Sequence, residues 1–302
     1  MNRKSLTNIA ASVHQRLLNK AKATDRPFNE VLQYFGMERF LYRLSDTVYA
    51  ESFVLKGALL FRVWDTPDTR ATRDIDFLAY MSNSPDKLVK VIREICAVEF
   101  TDDGLAFDST SVEAHLIKEG ANYEGVRVRL LGLLGKAVIN LQIDVGFGDV
   151  VHPAVQQIDY PTILDLPGPR LRGYPPETVI AEKTEAMIKL GRFNSRMKDF
   201  YDIWRLARQF SFSGDILSTA IRGTMDQRQT EIMDFDSLRA EVLENVNIEK
   251  QWQAFLRKTQ LEAPTSFTDI LLLIENLLGP VLSALKHGHY KKGKWLPSGS
   301  WV

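Results

Sequence analysis

The spacing of apolar residues in the first third of the chain predicts helices interrupted by two short strands. Apolar positions recur every three or four residues in the N-terminal segment, where Pro27 is placed to open a second helix. A short apolar run then ends at Lys56-Gly57, as a buried strand ending in a turn would. The predicted elements are helices over 5–48, 58–64 and 85–98 and strands over 53–55 and 74–80.

The pattern changes to strands after residue 100 and to helices after residue 177. Apolar and polar residues alternate over 126–130, and a largely apolar strand is predicted over 137–145. Residues 150–176 hold six prolines and predict a connector. We therefore expect an α+β fold, in which a mixed sheet with helices is followed by a helical domain. The expected domains are N-terminal helices over 1–48, an α/β core over 49–165 and a C-terminal helical domain over 166–302.

The composition is that of an ordinary soluble globular protein without net charge. Apolar residues make up 45% and charged residues 25% of the 302 positions, and 38 basic residues balance 38 acidic ones. A general electrostatic attraction to nucleic acid is therefore not expected. The single cysteine, Cys96, fits a reducing cytosol, and we expect a cytoplasmic protein without a membrane span or a secretory signal.

A basic segment closes the chain. Residues 281–302 contain four lysines and no acidic residue. Together with Tyr290 and Trp295, these lysines could contact RNA through charge and base stacking. A solvated, partly disordered end is the simpler interpretation, because chain termini are often poorly ordered.

Asp74 and Asp76 carry the strongest chemical signal in the sequence. They are two residues apart on a predicted strand, so both side chains are expected to point to the same face. Two carboxylates held that close repel each other unless a cation lies between them. Mg²⁺ takes one or two carboxylates together with waters and substrate phosphates. The pair therefore predicts metal-dependent chemistry on a nucleotide, with turn capping at a strand end as the alternative.

Gly57 and Asp144 add weaker signals. Gly57 lies between a predicted strand and a predicted helix, where glycine lets the backbone approach a phosphate, although any tight turn favours glycine. Asp144 lies in the apolar run Ile143-Asp144-Val145, and a carboxylate in a buried strand needs a physical reason. For Asp144 taken alone, a structural role and a functional role fit the sequence equally well.

In this order, the Gly57 turn, the Asp74-x-Asp76 strand and the Asp144 strand resemble the polymerase-β-like nucleotidyltransferase superfamily. The resemblance implies a nucleotidyltransferase core in which the three aspartates are catalytic metal ligands that bind Mg²⁺ or Mn²⁺ with an NTP. It also implies that Asp144 helps to deprotonate the attacking hydroxyl. Ala58 departs from the pattern, since serine or glycine is usual there, so only backbone N–H groups could contact phosphate at this turn.

Motifs in the second half narrow the resemblance to AbiEii/AbiGii-type toxin nucleotidyltransferases of type IV toxin–antitoxin systems. Residues 1–45 and 211–302 are not diagnostic of this family. The segments that carry the resemblance are 54–58, 73–76, 143–149, 176–187 and 196–203.

The resemblance assigns a catalytic, phosphate-binding role to Lys183, which could otherwise be a long side chain covering an apolar helix surface. Asp199 and Asp202 share a helix face and would position the nucleotide or hold the lysine. A helix N-terminal role for Asp199 and a surface ion pair between Lys198 and Asp202 are the alternatives. The residues predicted to bind the nucleotide are Lys56, Gly57, Ala58, Arg73, Lys189, Arg192, Arg196, Lys198, Asp199 and Asp202.

The resemblance implies transfer of a nucleoside monophosphate from an NTP to an RNA acceptor, with release of pyrophosphate. The tRNA 3′ end is the leading acceptor, and a cognate antitoxin, expected to be a DNA-binding repressor, would restrain the enzyme. Two alternatives stay open. One is a nucleotidyltransferase that modifies a small molecule or a protein side chain. The other is a nucleotide-binding module without turnover, suggested by Ala58 but opposed by the three carboxylates.

Overall fold

The computed structural model describes residues 3–64, 71–118 and 124–302, with side chains from residue 9 onward except those of residues 118 and 124. The described residues divide into two compact units that are not consecutive segments. Those of 3–148 and 156–173 form the first unit, and those of 149–155 and 174–302 form the second. The sequence-based partition into three domains stays a prediction.

A mixed sheet forms the centre of the first unit and confirms the expected α+β class. Among the described residues it has the strand order β3-β4-β5-β2-β1-β7-β6. β2 is parallel to β5 and β1 is parallel to β7, whereas the other neighbours are antiparallel. The strands are β1 (Phe53–Lys56), β2 (Asp74–Ala79), β3 (Leu105–Lys118), β4 (Glu124–Leu134), β5 (Ala137–Phe147), β6 (Gln156–Asp159) and β7 (Arg170–Gly173).

Helices of the first unit pack on one face of this sheet. The helices are α1 (Arg3–Ala23), α2 (Phe28–Ser45), α3 (Leu60–Val63) and α4 (Pro85–Cys96). A Cβ atom on Gly36 of α2 would lie 2.8 Å from Cγ2 of Ile139, so the absence of a side chain lets α2 approach β5 closely. Ile139, Leu141 and Ile143 are buried, and the alternate residues of β5 therefore point to the opposite face, which we call the open face.

The predicted proline-rich connector contains two strands of the sheet. β7 pairs in parallel with β1, where Val54 faces Arg172, and β6 pairs with β7. Pro169 and Pro175 flank β7 instead of lying within it, so no ladder hydrogen bond is lost to a proline. Six prolines in this segment favoured a connector in the sequence, but their positions between strands are compatible with pairing.

Buried charged residues of α2 tie this helix to the rest of the first unit. Nη1 of Arg43 lies 2.8 Å from Oδ2 of Asp103. Nη2 of Arg39 donates to the carbonyl of Pro167 over 2.8 Å and lies 2.9 Å from Oε1 of Glu38 on the same helix. The backbone N–H of Ile163 donates to Oε2 of Glu38 over 2.7 Å. Burial raises the pKa of Glu38 to about 7, even though Arg39 and the Ile163 N–H favour its charged form.

The second unit is mainly helical. Its elements are α5 (Pro176–Leu190), α6 (Met197–Gln209), β8 (Phe212–Ser213), α7 (Gly214–Arg228), α8 (Phe235–Leu243), α9 (Ile248–Thr259), α10 (Phe267–Lys286), β9 (Lys294–Leu296) and β10 (Ser300–Trp301). Among the described helices, α10 has the length and mean hydropathy of a membrane span, which by itself is weak support for one. One face of α10, which includes Phe267, Ile274 and Leu285, is at most 1% exposed, as in the core helix of a folded domain, whereas Leu272 on another face is 55% exposed.

The expectation of partial disorder at the basic end is wrong, whereas Lys286, Lys292 and Lys294 are exposed to solvent as expected. β9 pairs with β8 and β10, and the backbone of Val302 exchanges hydrogen bonds with Lys294. Trp295 is fully buried, and its indole N–H donates to the carbonyl of Ala207 over 2.7 Å. Base stacking on Trp295 is therefore excluded, because the ring belongs to the core of the second unit.

Candidate active site

Four charged residues form a row across four strands of the first unit. Lys56 of β1 is the register partner of Asp76 on β2, which is the partner of Asp144 on β5. Asp144 is in turn the partner of Arg127 on β4. Because register partners point to the same face of a sheet, the row places two carboxylates side by side between two cations.

Asp74 completes a cluster of three carboxylates at this row. It precedes Asp76 by two residues on β2 and therefore shares its face. One carboxylate oxygen from each of Asp74, Asp76 and Asp144 can be chosen so that all three lie within 4.8 Å of one another. Asp144 is buried and the other two are half-buried. Three hard oxygen donors at this separation suit a divalent cation such as Mg²⁺ or Mn²⁺, which would relieve their mutual repulsion.

Arg127 holds the Asp144 carboxylate in a fixed orientation. Nε of Arg127 donates to Oδ1 over 2.8 Å, and Nη2 donates to Oδ2 over 2.7 Å. The side-chain amide of Gln142 also approaches Oδ2, at 3.4 Å. Such a two-point contact fixes both oxygens of the carboxylate and partly compensates the charge of the cluster.

Thr72 orients the Asp74 carboxylate. Its hydroxyl donates to Oδ1 of Asp74. The backbone N–H of Thr72 donates in turn to the hydroxyl of Tyr34 over 3.1 Å, which links the start of β2 to α2. Two successive hydrogen bonds, through Thr72, therefore link the Asp74 carboxylate to Tyr34 of α2.

Gly57 allows the close approach of Asp76 to the turn after β1. It has a φ of +73°, and a Cβ atom there would lie 2.0 Å from Oδ2 of Asp76. A side chain at this position would displace the carboxylate and strain the backbone. The helix predicted over 58–64 is a 3₁₀ turn over Gly57–Leu59, which includes the buried Ala58, followed by the single helical turn α3. A helix this short adds little dipole to the turn.

A second cluster, within the second unit, surrounds Lys183. The Nζ atom of this α5 residue lies 2.7 Å from Oδ1 of Asp199 and 2.8 Å from Oδ2 of Asp202, both on α6. Asp199 and Asp202 are at most 1% exposed, and Lys183 is mostly buried. Arg196 adds a second cation, with Nε 2.6 Å from Oδ2 of Asp199. The two aspartates therefore hold the lysine, one of the two roles that the sequence left open.

The pKa of Asp199 follows from this arrangement. Burial alone would raise the pKa of the carboxyl, but Lys183 and Arg196 outweigh it and hold the pKa below its ordinary value. The alternative of a surface ion pair between Lys198 and Asp202 is not favoured, because Asp202 is buried against Lys183 and Lys198 is exposed.

The other cations predicted to bind the nucleotide lie at or near the surface. Lys189 is 3.7 Å from Glu185 on the same helix. Arg192 contacts Glu244 at 3.5 Å, and its guanidinium also lies over the ring of Phe193. Arg73 is exposed next to Asp74 in the first unit.

The structure thus groups the predicted residues within each unit. In the first unit, Lys56 and Gly57 lie beside Asp76, and the three aspartates converge. In the second unit, Arg196, Asp199 and Asp202 surround Lys183. The catalytic and binding roles of these residues stay predictions.

Sequence reasoning missed Arg127, although the sequence contained a signal for it. Gly135, with a φ of +61°, and Lys136 form a two-residue turn between β4 and β5. A turn of that length pairs Leu134 with Ala137, and counting outward along both strands pairs Arg127 with Asp144. Thr72 and Gln142 gave no comparable signal, because their roles depend on side-chain geometry.

Comparison with known proteins agrees with this chemistry. Residues 39–272 match the family model described as "Nucleotidyl transferase AbiEii toxin, Type IV TA system". No curated protein is significantly similar to the chain. Two solved structures from Helicobacter pylori are similar at 17% identity. JHP933 has a TM-score of 0.44, with 83% of this chain and 92% of that one covered, and a candidate nucleotidyltransferase has a TM-score of 0.45, with 95% and 100% covered.

Proposed function

Since the chain belongs to the AbiEii family of nucleotidyltransferase toxins of type IV toxin–antitoxin systems, we propose that it transfers a nucleoside monophosphate from an NTP to an RNA acceptor. The tRNA 3′ end is the leading acceptor, and pyrophosphate is the second product. The observation that carries the proposal is the convergence of Asp74, Asp76 and Asp144 on one face of the sheet. Carboxylate clusters of this kind serve phosphoryl-transfer enzymes as metal ligands.

In this proposal the three aspartates hold one or two divalent cations, Mg²⁺ or Mn²⁺. When bound, the cation neutralises charge on the triphosphate and lowers the pKa of an attacking hydroxyl. Asp144 accepts the proton of the acceptor hydroxyl. That oxygen forms a bond to the α-phosphorus while the bond from the α-phosphorus to the bridging oxygen breaks, and the electron pair leaves with pyrophosphate.

The remaining predicted residues supply binding. Backbone N–H groups at Gly57 and Ala58 contact phosphate oxygens, since Ala58 has no hydroxyl to offer. Lys183, oriented by Asp199 and Asp202, binds phosphate as a cation. The enzyme acts in the cytoplasm, and its cognate antitoxin is a DNA-binding repressor.

The test is to incubate the purified protein with Mg²⁺, each α-labelled NTP in turn, and total bacterial RNA. We expect label in a tRNA-sized band with the wild-type protein and none with Asp76→Ala. Labelling that survives in Asp76→Ala, or toxicity that survives in cells producing it, would contradict the mechanism. Label in protein or in a small molecule, with none in RNA, would instead support the alternative acceptors.

A further inference from the structure

An open groove of about 450 Å³ adjoins the carboxylate cluster on the open face of the sheet. Gln142 lines it and also approaches Asp144, so the groove is continuous with the cluster. The other polar side chains that line it are Arg73, Arg129, Asn140, Ser111 and Glu113.

The register of the strands shows how the groove is built. Asp74 of β2, Gln142 of β5, Arg129 of β4 and Glu113 of β3 are successive partners, one row away from Asp76 and Asp144. Asn140 lies two residues before Gln142 and shares its face. The groove therefore leads away from the cluster across β5 and β4, beginning at Arg73, which precedes Asp74.

The groove and the Gly57 turn lie on opposite sides of the carboxylates. The turn follows β1, which neighbours β2 on one side, whereas the groove extends over β5 and β4 on the other side. A displacement at phosphorus needs the attacking and leaving oxygens roughly in line. Two reactants that approach the cluster from opposite sides satisfy this requirement.

The lining chemistry matches a single-stranded polynucleotide. Arg73 and Arg129 offer two guanidinium groups against one carboxylate, that of Glu113, so the groove favours an anion. The amides of Asn140 and Gln142 can donate to and accept from base edges, and Leu131 adds an apolar surface. Resting on the function proposed above, we propose that this groove binds the last nucleotides of the acceptor strand and delivers its terminal hydroxyl to the carboxylates.

The test compares Arg129→Ala and Asn140→Ala with Lys136→Ala, which removes an exposed cation of the same sheet outside the groove. Binding of a short fluorescent single-stranded RNA is measured by anisotropy without NTP and at several salt concentrations. We expect Arg129→Ala to weaken binding about tenfold. The logarithm of the association constant falls linearly with the logarithm of the salt concentration. Loss of one phosphate contact should make this negative slope shallower by about 0.7. Asn140→Ala should weaken binding without changing the slope, and Lys136→Ala should change neither.

Transfer kinetics separate this proposal from the function on which it rests. If the wild-type protein labels RNA but Arg129→Ala leaves the RNA affinity and KM unchanged, the groove proposal is overturned and the function stands. A KM that rises for the NTP alone would assign the groove to the nucleotide and also overturn the proposal. If the wild-type protein labels no RNA, the proposed function fails, and RNA binding that is lost in Arg129→Ala would still support the groove. Thermal unfolding of each variant confirms that it is folded.

Discussion

Arg127 donates two parallel hydrogen bonds to Asp144, so one member of the carboxylate cluster is already paired with a cation of the protein. That pairing has two opposite effects on the site. It fixes the direction of the Asp144 oxygens, and it reduces the negative charge that attracts a divalent cation.

Replacement of Arg127 by alanine should therefore separate metal affinity from catalysis. Removal of the positive charge is expected to tighten Mn²⁺ binding about fivefold, since a unit charge at this range contributes about 1 kcal/mol in a solvated site. The transfer rate should fall because Asp144 loses its orientation. Titration of Mn²⁺ by electron paramagnetic resonance measures the first effect. Arg127→Lys keeps the charge and should leave the affinity near that of the wild type, and weaker Mn²⁺ binding by Arg127→Ala would refute the charge argument.

Gly57→Ala should slow transfer about a hundredfold without unfolding the protein. The new Cβ would lie 2.0 Å from Oδ2 of Asp76, so the carboxylate must move by an ångström or more. A displacement of that size is expected to reduce kcat about a hundredfold, while alanine at the positive φ costs the fold about 1–2 kcal/mol.

Gly288→Ala is the matched control for Gly57→Ala. Gly288 also has a positive φ, +78°, but a Cβ atom there would have nothing within 4 Å. The two variants should lose similar stability in urea unfolding, and only Gly57→Ala should lose activity. Equal activity of the two would show that the contact with Asp76 is unimportant.

Lys183→Ala should destabilise the second unit as well as impair catalysis. It leaves Asp199 and Asp202 buried without the lysine that lies between them. Removal of one partner from a buried ion pair typically costs about 3–5 kcal/mol. Urea unfolding at neutral pH measures the loss, and Lys198→Ala, which removes an exposed lysine of α6, the helix that carries Asp199 and Asp202, should cost less than about 0.5 kcal/mol. An unchanged unfolding midpoint for Lys183→Ala would contradict a structural role for this cluster.

Glu38 should make the stability of the first unit depend on pH. Its pKa is raised from 4.5 to about 7 in the folded protein, so the folded state binds a proton more tightly than the unfolded state. The stability from this group is fully present below pH 4.5 and is lost as the pH rises through about 7. The unfolding free energy of the wild type, relative to that of Glu38→Gln, should decrease over this range. A constant difference between the two proteins would argue against the buried, proton-binding Glu38.

The sequence predicted the fold class and the individual strands β1, β2, β4 and β5, because period-2 and helical patterns are local. The residues of the acidic cluster were also identified from motif order, but their convergence depends on the parallel pairing of β2 with β5, which no local pattern specifies. The partnership of Arg127 with Asp144 could have been inferred from the turn at Gly135, since a two-residue turn fixes the register of both strands.

Two features exceeded what local sequence can indicate. The prolines of 150–176 led to the prediction of a connector where β7 lies, and the partner of β7, β1, is distant in the chain. The lysines of the C-terminal segment favoured a disordered end, whereas Trp295 anchors that segment in the second unit. In both cases long-range packing outweighed local composition.

The pairing of β1 with β7 also determines when the sheet of the first unit can be completed while the chain is being synthesised on the ribosome. A growing chain exposes its residues from the N-terminus onward, and β1, which carries the Gly57 turn, lies between β2 and β7. Until residues 170–173 have emerged, one edge of β1 has no partner, and the turn beside Asp76 lacks half of its support. The sheet that carries the acidic cluster is therefore completed only once Gly173 has emerged, and chains released before that residue carry all three aspartates but not the finished sheet that holds them.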